Sequence, residues 1–444
     1  MTGGSGTRRR APQRWVRRLG AVLAGPTSAR EEPPPVDDPV DPDLVPVLTE
    51  LGVELLDAGQ ATNEVEDALR AVSAARGHAR VRSFVVPTGI LVQVDQPDTV
   101  ATHYQGSTGH PLRLDQVGAL DGLTDDLVGG RVTLGDARKR LAGIAASPPR
   151  FGPVLAIVGH TLLTLGFGLC QNPSGPALVG LLLLGALVGT ARVVLARSSS
   201  MTTALPVLAS FVVTVLAVGV LGPWLDADPL TLIAPPLISF LPGTTLTTAT
   251  IELTHNQVVS GASRLVYGLA QLLLLAFGVV AGVAVVGPVH PVGAPSLGAW
   301  AAYVGVAVVA AGHMLYSSAP RGSLPWIALA LYAAFVAQAL GSVLLSPELS
   351  GFAGGLVLMI VAELISRARS GPSRLVTALP GFWLLVPGAL GFLGVSEVAT
   401  SGAQAITELV DMVLALFSVA LGVLTGTGLS REASSLTKEI RRPR

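Results

Sequence analysis

The chain has 444 residues, 50% of them apolar and 13% charged, with 51 Gly, 32 Pro and no net formal charge. A mean hydropathy of +0.60 excludes disorder, collagen and a nucleic-acid-binding domain as readings of the whole, and the balanced charge offers a polyanionic partner nothing to hold. Charge is also segregated: residues 1–150 carry 17 Lys/Arg and 19 Asp/Glu, whereas residues 151–428 carry only 7 and 8. The first stretch therefore reads as soluble and the second as solvated by a lipid bilayer. Cys170 is the only cysteine, which excludes intrachain disulfides and cysteine-cage zinc sites. Neither lysine, Lys139 or Lys438, follows a glycine, so no GKS/T run can cradle a triphosphate, and HExxH and GxSxG are also missing. Nothing in these patterns calls for an enzyme, a cofactor or a metal.

Residues 1–43 run from Arg8-Arg9-Arg10 through Pro33-Pro34-Pro35 and hold too little apolar surface to fold alone, so they read as a disordered cytoplasmic arm. Within them, Arg17-Arg18 followed by Leu19–Ala24 has the order of a signal peptide, with an apolar run at the short limit. Residues 44–150 read as a small α/β domain. Leu44, Leu48, Leu51, Leu55, Val65, Leu69 and Val72 recur at helical spacing, with Gly59 interrupting and Gly77 ending the pattern, which predicts two helices or one broken one. Val81–Val94, rich in β-branched residues around Pro87-Thr88-Gly89, predicts two strands joined at a turn. Leu123–Ile144 predicts an amphipathic helix whose basic end, Arg138-Lys139-Arg140, leads to Pro148-Pro149.

Ten apolar spans follow, near 151–170, 175–196, 201–222, 229–250, 263–287, 297–317, 324–344, 348–366, 374–394 and 404–428. Each is close to the length that crosses about 30 Å of hydrocarbon at about 1.5 Å per residue. Arg192, Arg197, Arg264, Arg321, Arg367, Arg369 and Arg374 all fall in alternate connections, which places both termini on the cytoplasmic side. Residues 429–444, with Arg431, Lys438, Arg441, Arg442 and Arg444, form a basic aqueous tail.

At a shift of 145 residues, Pro235, Pro242, Gly243 and Glu252 fall on Pro380, Pro387, Gly388 and Glu397, and Ser260-Gly261-Ala262 falls nearly on Ser401-Gly402-Ala403. The repeated unit is five spans, an odd number, so the second copy enters the bilayer from the opposite side. The expected fold class is an α-helical polytopic membrane protein with a 5+5 inverted repeat, over 151–290 and 291–428, behind a small N-terminal α/β domain. Inverted repeats with Pro/Gly-broken helices suit secondary transport, because two mirror-related halves can open one midplane site to each face in turn. At each Pro-Gly the helix ladder is interrupted. The freed amides can hold a carboxylate and the freed carbonyls an ammonium group. Thr244, Thr245, Thr247, Thr248 and Thr250 add hydroxyls in the first copy only.

A carboxylate at mid-bilayer costs about 2.5–3.5 kcal/mol on insertion scales, so the acidic residues of these spans are candidates for function. Glu252 and Glu397 are expected toward opposite faces, as transport residues or as interfacial ones. Glu408 and Asp411, three apart on one helix face, can share a proton or lie exposed at a helix end. His160 and His313 occupy spans one and six, equivalent under the repeat, and read either as packed residues or, for His313 above all, as a proton carrier. Glu363 and Arg367 read as a helix-end ion pair.

Leu55-Leu56-Asp57-Ala58-Gly59-Gln60-Ala61-Thr62, Val65-Glu66 and Pro87-Thr88-Gly89 resemble the soluble domain of the threonine/serine exporter family. Leu241-Pro242-Gly243, Ser260-Gly261-Ala262-Ser263-Arg264-Leu265 and Leu385-Val386-Pro387-Gly388 resemble its membrane modules. The resemblance spans about residues 44–428. It implies a ten-helix inner-membrane efflux carrier for threonine and serine, driven by protons, with a cytoplasmic N-terminal domain. Split two-subunit relatives export dicarboxylates such as succinate, so membership alone does not name the substrate. This chain departs from the pattern with Thr247-Thr248 where Thr-Asn is expected. The expected carrier uses Pro242, Gly243, Thr244, Thr247, Thr248, Glu252, Pro387, Gly388 and Glu397 for substrate, and Glu408, Asp411 and His313 for protons. Its expected partners are the bilayer, protons and a small-molecule substrate, with a homo-oligomer left open. The rival readings are a dicarboxylate exporter, a hydrolase or sensor carried by the soluble domain, and a passive channel.

Overall fold

The computed structural model describes residues 41–78, 81–95, 100–195, 199–287, 293–347, 349–385 and 414–430. Residues 1–40, Arg197, Pro387, Gly388, Glu397, Ser401-Gly402-Ala403, Glu408, Asp411 and the basic residues from Arg431 onward lie outside the described residues.

The soluble domain opens with α1 (Leu44–Asp57) and α2 (Thr62–Ala75), whose periodic apolar positions Leu44, Leu48, Leu51, Leu55, Val65, Leu69 and Val72 are all buried. Gly59 separates them at φ +86° and Gly77 closes α2 at φ +79°, left-handed positions that glycine adopts without a Cβ clash. Strands β1 (Val81–Val86) and β2 (Gly89–Asp95) pair antiparallel, with Val86 opposite Gly89 across the two-residue turn Pro87-Thr88. A third strand, β3 (Val100–Gly106), pairs with the other edge of β2. Sequence reading missed it because Thr102, His103 and Tyr104 are exposed, which leaves no apolar alternation. The single helix expected over Leu123–Ile144 is two, α3 (Leu114–Val128) and α4 (Leu134–Ala145). Gly129-Gly130, with Gly130 at φ +67°, breaks the pattern, and Thr133 restarts it by accepting the Asp136 N–H at 3.2 Å.

The membrane block begins with α5 (Pro153–Cys170), α6 (Ala177–Leu195) and α7 (Ser199–Leu216), the last continued by a π turn and one further turn to Leu225. A limb over Pro229–Phe240 meets α8 (Gly243–Thr254) at a bend of 62°. Then come α9 (Val258–Val286), α10 (Trp300–Tyr316), α11 (Leu324–Leu344), α12 (Ser350–Ser366), α13 (Arg374–Leu385) and α14 (Leu414–Ser430). Five of these helices are long and apolar enough to cross a membrane, the bent pair makes a sixth candidate, and α10, α12, α13 and α14 are shorter apolar helices.

Glycine governs how these helices meet. Helices α5 and α10 run antiparallel at backbone contact: Gly159 faces Tyr316, Leu163 faces Gly312, Gly166 faces Val309 and Cys170 faces Gly305. A Cβ at Gly166 would sit 2.7 Å from the Val309 nitrogen, so no larger residue fits. By contrast α7 and α9 run parallel, with Gly278 on Ser210 and Gly282 on Thr214, and so do α12 and α14, with Val419 on Gly351 and Val423 on Gly355. One buried apolar cluster is drawn almost entirely from α6 to α9, another mainly from α11 to α14, and a third joins α5, α10 and α11 between them.

Candidate functional site

The bend follows from proline chemistry. Pro235 and Pro236 have no N–H to donate, the limb tightens into a 3-10 turn over Pro235–Phe240, and Pro242 interrupts the ladder again. Helix α8 restarts at Gly243. The Leu246 N–H donates to Pro242 O at 2.9 Å, so the first N–H groups of α8, from Gly243 to Thr245, have no acceptor inside the helix. Pro242 packs against Gly268, ten residues into the 29-residue α9 and so about 15 Å along it. The break therefore lies beside the interior of α9 and not at its end.

At its far end α8 reaches the soluble domain. The Thr62 N–H, first in α2, donates to Glu252 Oε1 at 2.9 Å, and Arg264 Nε lies 3.2 Å from the same oxygen. Glu252 is fully buried. Its charge meets both a guanidinium and the positive end of a helix whose first amides lack partners. Around it the two regions are joined by Gln257 Nε2 donating to Glu66 Oε2 at 3.3 Å and Arg374 Nη2 donating to Glu64 Oε1 at 3.3 Å. The Leu114 N–H also donates to Ser317 O at 2.9 Å, and Arg150 Nη1 to Ala319 O at 2.7 Å. Burial raises the Glu66 carboxyl above its usual range. Asp121 on α3 is pushed up to about 6 by burial, against the opposing pull of Ser373 and Arg374. A cavity of about 120 Å³ lies in this junction, between the α1–α2 turn and helices α8, α12, α13 and α14.

A second polar group surrounds Ser239, three residues before Pro242. His160 Nδ1 is 3.0 Å from Gly185 O and its Nε2 is 3.0 Å from Ser239 Oγ, while Arg192 Nη1 donates to Ser239 O at 3.1 Å. The Arg192 guanidinium stacks over Phe240, 4.8 Å from the ring centre, and approaches Tyr316 at 5.9 Å. Tyr316 touches the His160 ring on one side and Trp383 on the other, and Trp383 meets His313 edge-on at 5.0 Å. The two histidines thus belong to one aromatic chain, both buried, and His313 Nε2 has no partner among the described residues.

Among the expected site residues, Pro242 and Gly243 form the break, Thr248 lines the cavity, and Thr247 is buried with a hydroxyl that has no partner among the described residues. Thr250 donates to Leu246 O of its own helix, and Thr244 and Thr245 are half-buried near the break. Glu252 lies on α8 and not in a loop. It is the buried anchor of the junction. The larger correction concerns the cations. Arg192 and Arg264 were expected in connections, yet both lie within helices, α6 and α9, and hold interior contacts. The sequence offered a signal for each, since both adjoin apolar runs in a region poor in charge. Thr62, Glu64, Ser239 and Trp383 carried no such signal. The Glu363–Arg367 pair forms as expected, at 3.1 Å. Among the described residues no group of three His, Cys, Asp or Glu could hold a metal ion.

A family model, ThrE, described as "Putative threonine/serine exporter", matches residues 46–286, from α1 through the bent span to the end of α9. This chain belongs to the threonine/serine exporter family. It is accordingly a membrane transporter with a small-molecule substrate. No curated protein and no solved structure matches it.

Proposed function

We propose that this member of the threonine/serine exporter family is a proton-coupled secondary carrier of threonine and serine, working by alternating access around broken spans four and nine of a ten-span inverted repeat. The observation that carries the reading is the 62° break at Pro242-Gly243, where the first amides of α8 have no acceptor inside the helix. The repeat is supported by the antiparallel packing of α5 on α10, its expected equivalents. It is supported again by the 145-residue shift, which carries Ser210 to Gly355 and Gly278 to Val423, so that the α7–α9 contact recurs between α12 and α14. Pro387, Gly388 and Glu397 complete the second copy in this reading.

The soluble domain and both termini are cytoplasmic, in the inner membrane of the cell. Arg264 and Arg374, which meet Glu252 and Glu64 at the soluble domain, support that orientation because the remaining cations share their side of the chain's alternation. A proton on Glu252 would cancel the charge that holds Arg264 and weaken the bond from Thr62, freeing α8 from the soluble domain. Glu408, Asp411 and His313 are the further proton carriers in this scheme. The test is efflux of threonine, serine and succinate from preloaded proteoliposomes, with and without an imposed pH gradient. Saturable, uncoupler-sensitive loss of threonine and serine is expected; gradient-independent leakage, or export of succinate alone, would overturn the reading.

A further inference from the structure

We infer that the junction cavity is a binding site for a free zwitterionic α-amino acid, formed jointly by the soluble domain and the membrane helices. The inference rests on the exporter reading above and adds a second site to it, on the path to the break. The cavity, about 120 Å³, is comparable with an apolar cavity of about 150 Å³ that takes up benzene, a ligand of six heavy atoms. Serine has seven heavy atoms and threonine eight. The space is of the order that one small amino acid occupies, with Glu64 and Arg374 in its wall.

Its lining supplies what both ends of such a molecule require. Arg374 and Glu64 sit on opposite sides of the domain boundary and meet through one contact of 3.3 Å. A zwitterion can enter between them, its carboxylate on the Arg374 guanidinium and its ammonium on the Glu64 carboxylate. Each charge exchanges one partner for another, so no charge is left uncompensated in a half-buried place. A dicarboxylate fails this exchange because its second anion would face Glu64. Asn63 Oδ1 is buried in the cavity wall and, among the described residues, has no hydrogen-bond partner, so it can accept from a ligand's ammonium or hydroxyl. Thr248, from the helix that begins at the break, and Gln60, from the α1–α2 turn, offer further polar groups for a side-chain hydroxyl. The soluble domain is then part of substrate recognition.

Binding to the full-length protein in detergent distinguishes this site by chemistry. Threonine and serine should bind to the unmodified protein, while N-acetyl-threonine, threonine methyl ester and succinate, each lacking one of the two charges or carrying an extra anion, should bind at least tenfold more weakly. Glu64→Gln should lower threonine affinity at least tenfold and improve N-acetyl-threonine and succinate relative to it, an inversion that mere loosening of the junction would not produce. Arg374→Gln should lose threonine and keep no preference for anions. Equal binding of N-acetyl-threonine and threonine by the unmodified protein, or unchanged threonine affinity and transport KM in both variants, would overturn the site while leaving the exporter reading intact. Failure of the unmodified protein to bind or move any amino acid would remove both.

Discussion

The seam between α5 and α10 and the junction between the soluble domain and α8 are both buried, yet they are built from opposite materials. The seam is glycine against backbone, with Gly166 and Gly305 so close that a Cβ at either would lie 2.7 Å from a backbone atom of the other helix. Its contacts are mainly glycine against backbone and apolar side chain, and its energy comes from dispersion at close range. The junction is carboxylate against guanidinium and amide, with Asn63 Oδ1 and Thr247 Oγ1 buried and without partners among the described residues. A close-packed seam tolerates no intermediate geometry, so it moves as a unit or not at all. A polar junction with unfilled hydrogen-bonding capacity has alternatives open to it. The difference places rigidity in the middle of the bundle and adjustability at its soluble end.

The largest effect expected from breaking the contrast is at the seam. Gly166→Leu should abolish folded protein in the membrane fraction, as size-exclusion chromatography in detergent would record. Overpacking ordinarily costs about 1–3 kcal/mol, and here the obstacle is backbone, which cannot rotate away. Next comes the junction's anchor. Arg264→Ala leaves Glu252 buried without its ion partner and should destabilise by about 3–5 kcal/mol, read as a lower Tm. Glu252→Gln, which keeps an acceptor for the Thr62 N–H, should leave the protein in the membrane but end gradient-driven efflux; undiminished efflux would detach this carboxyl from coupling.

A smaller, pH-dependent effect sharpens the same comparison. Because Asp121 is raised from 3.8 to about 6 in the docked protein, the folded form holds that proton more tightly than the unfolded chain does. The stabilisation is therefore complete below about pH 4 and lost as the pH rises through 6. Asp121→Asn should raise Tm at pH 7.5 and flatten the slope of Tm between pH 4 and 6. The smallest effect belongs to Glu363→Gln at the exposed end of α12. An i,i+4 pair of this kind contributes about 0.2–0.5 kcal/mol, and transport should not change.

Much of the architecture was legible in local pattern. The helical spacing of Leu44 to Val72, the Pro87-Thr88 turn, the apolar stretches and the interruption at Pro242-Gly243 each depend on residues within a turn or two of one another. Where local pattern was ambiguous it misled: Leu123–Ile144 kept its apolar spacing across Gly129-Gly130, and β3 is too exposed to alternate.

What the sequence determined alone is the separation of the charge-rich stretch from the long apolar runs and the position of the helix break, because hydropathy and proline's missing N–H act within their own segment. The tertiary structure alone decided that Arg264 is the partner of a buried acid, that Arg192 lies against aromatic rings, and that the soluble domain lends Thr62 and Glu64 to the membrane helices. Those contacts join residues as far apart as Glu64 and Arg374. No one-dimensional pattern connects such distant groups, whose meeting depends on how whole helices pack.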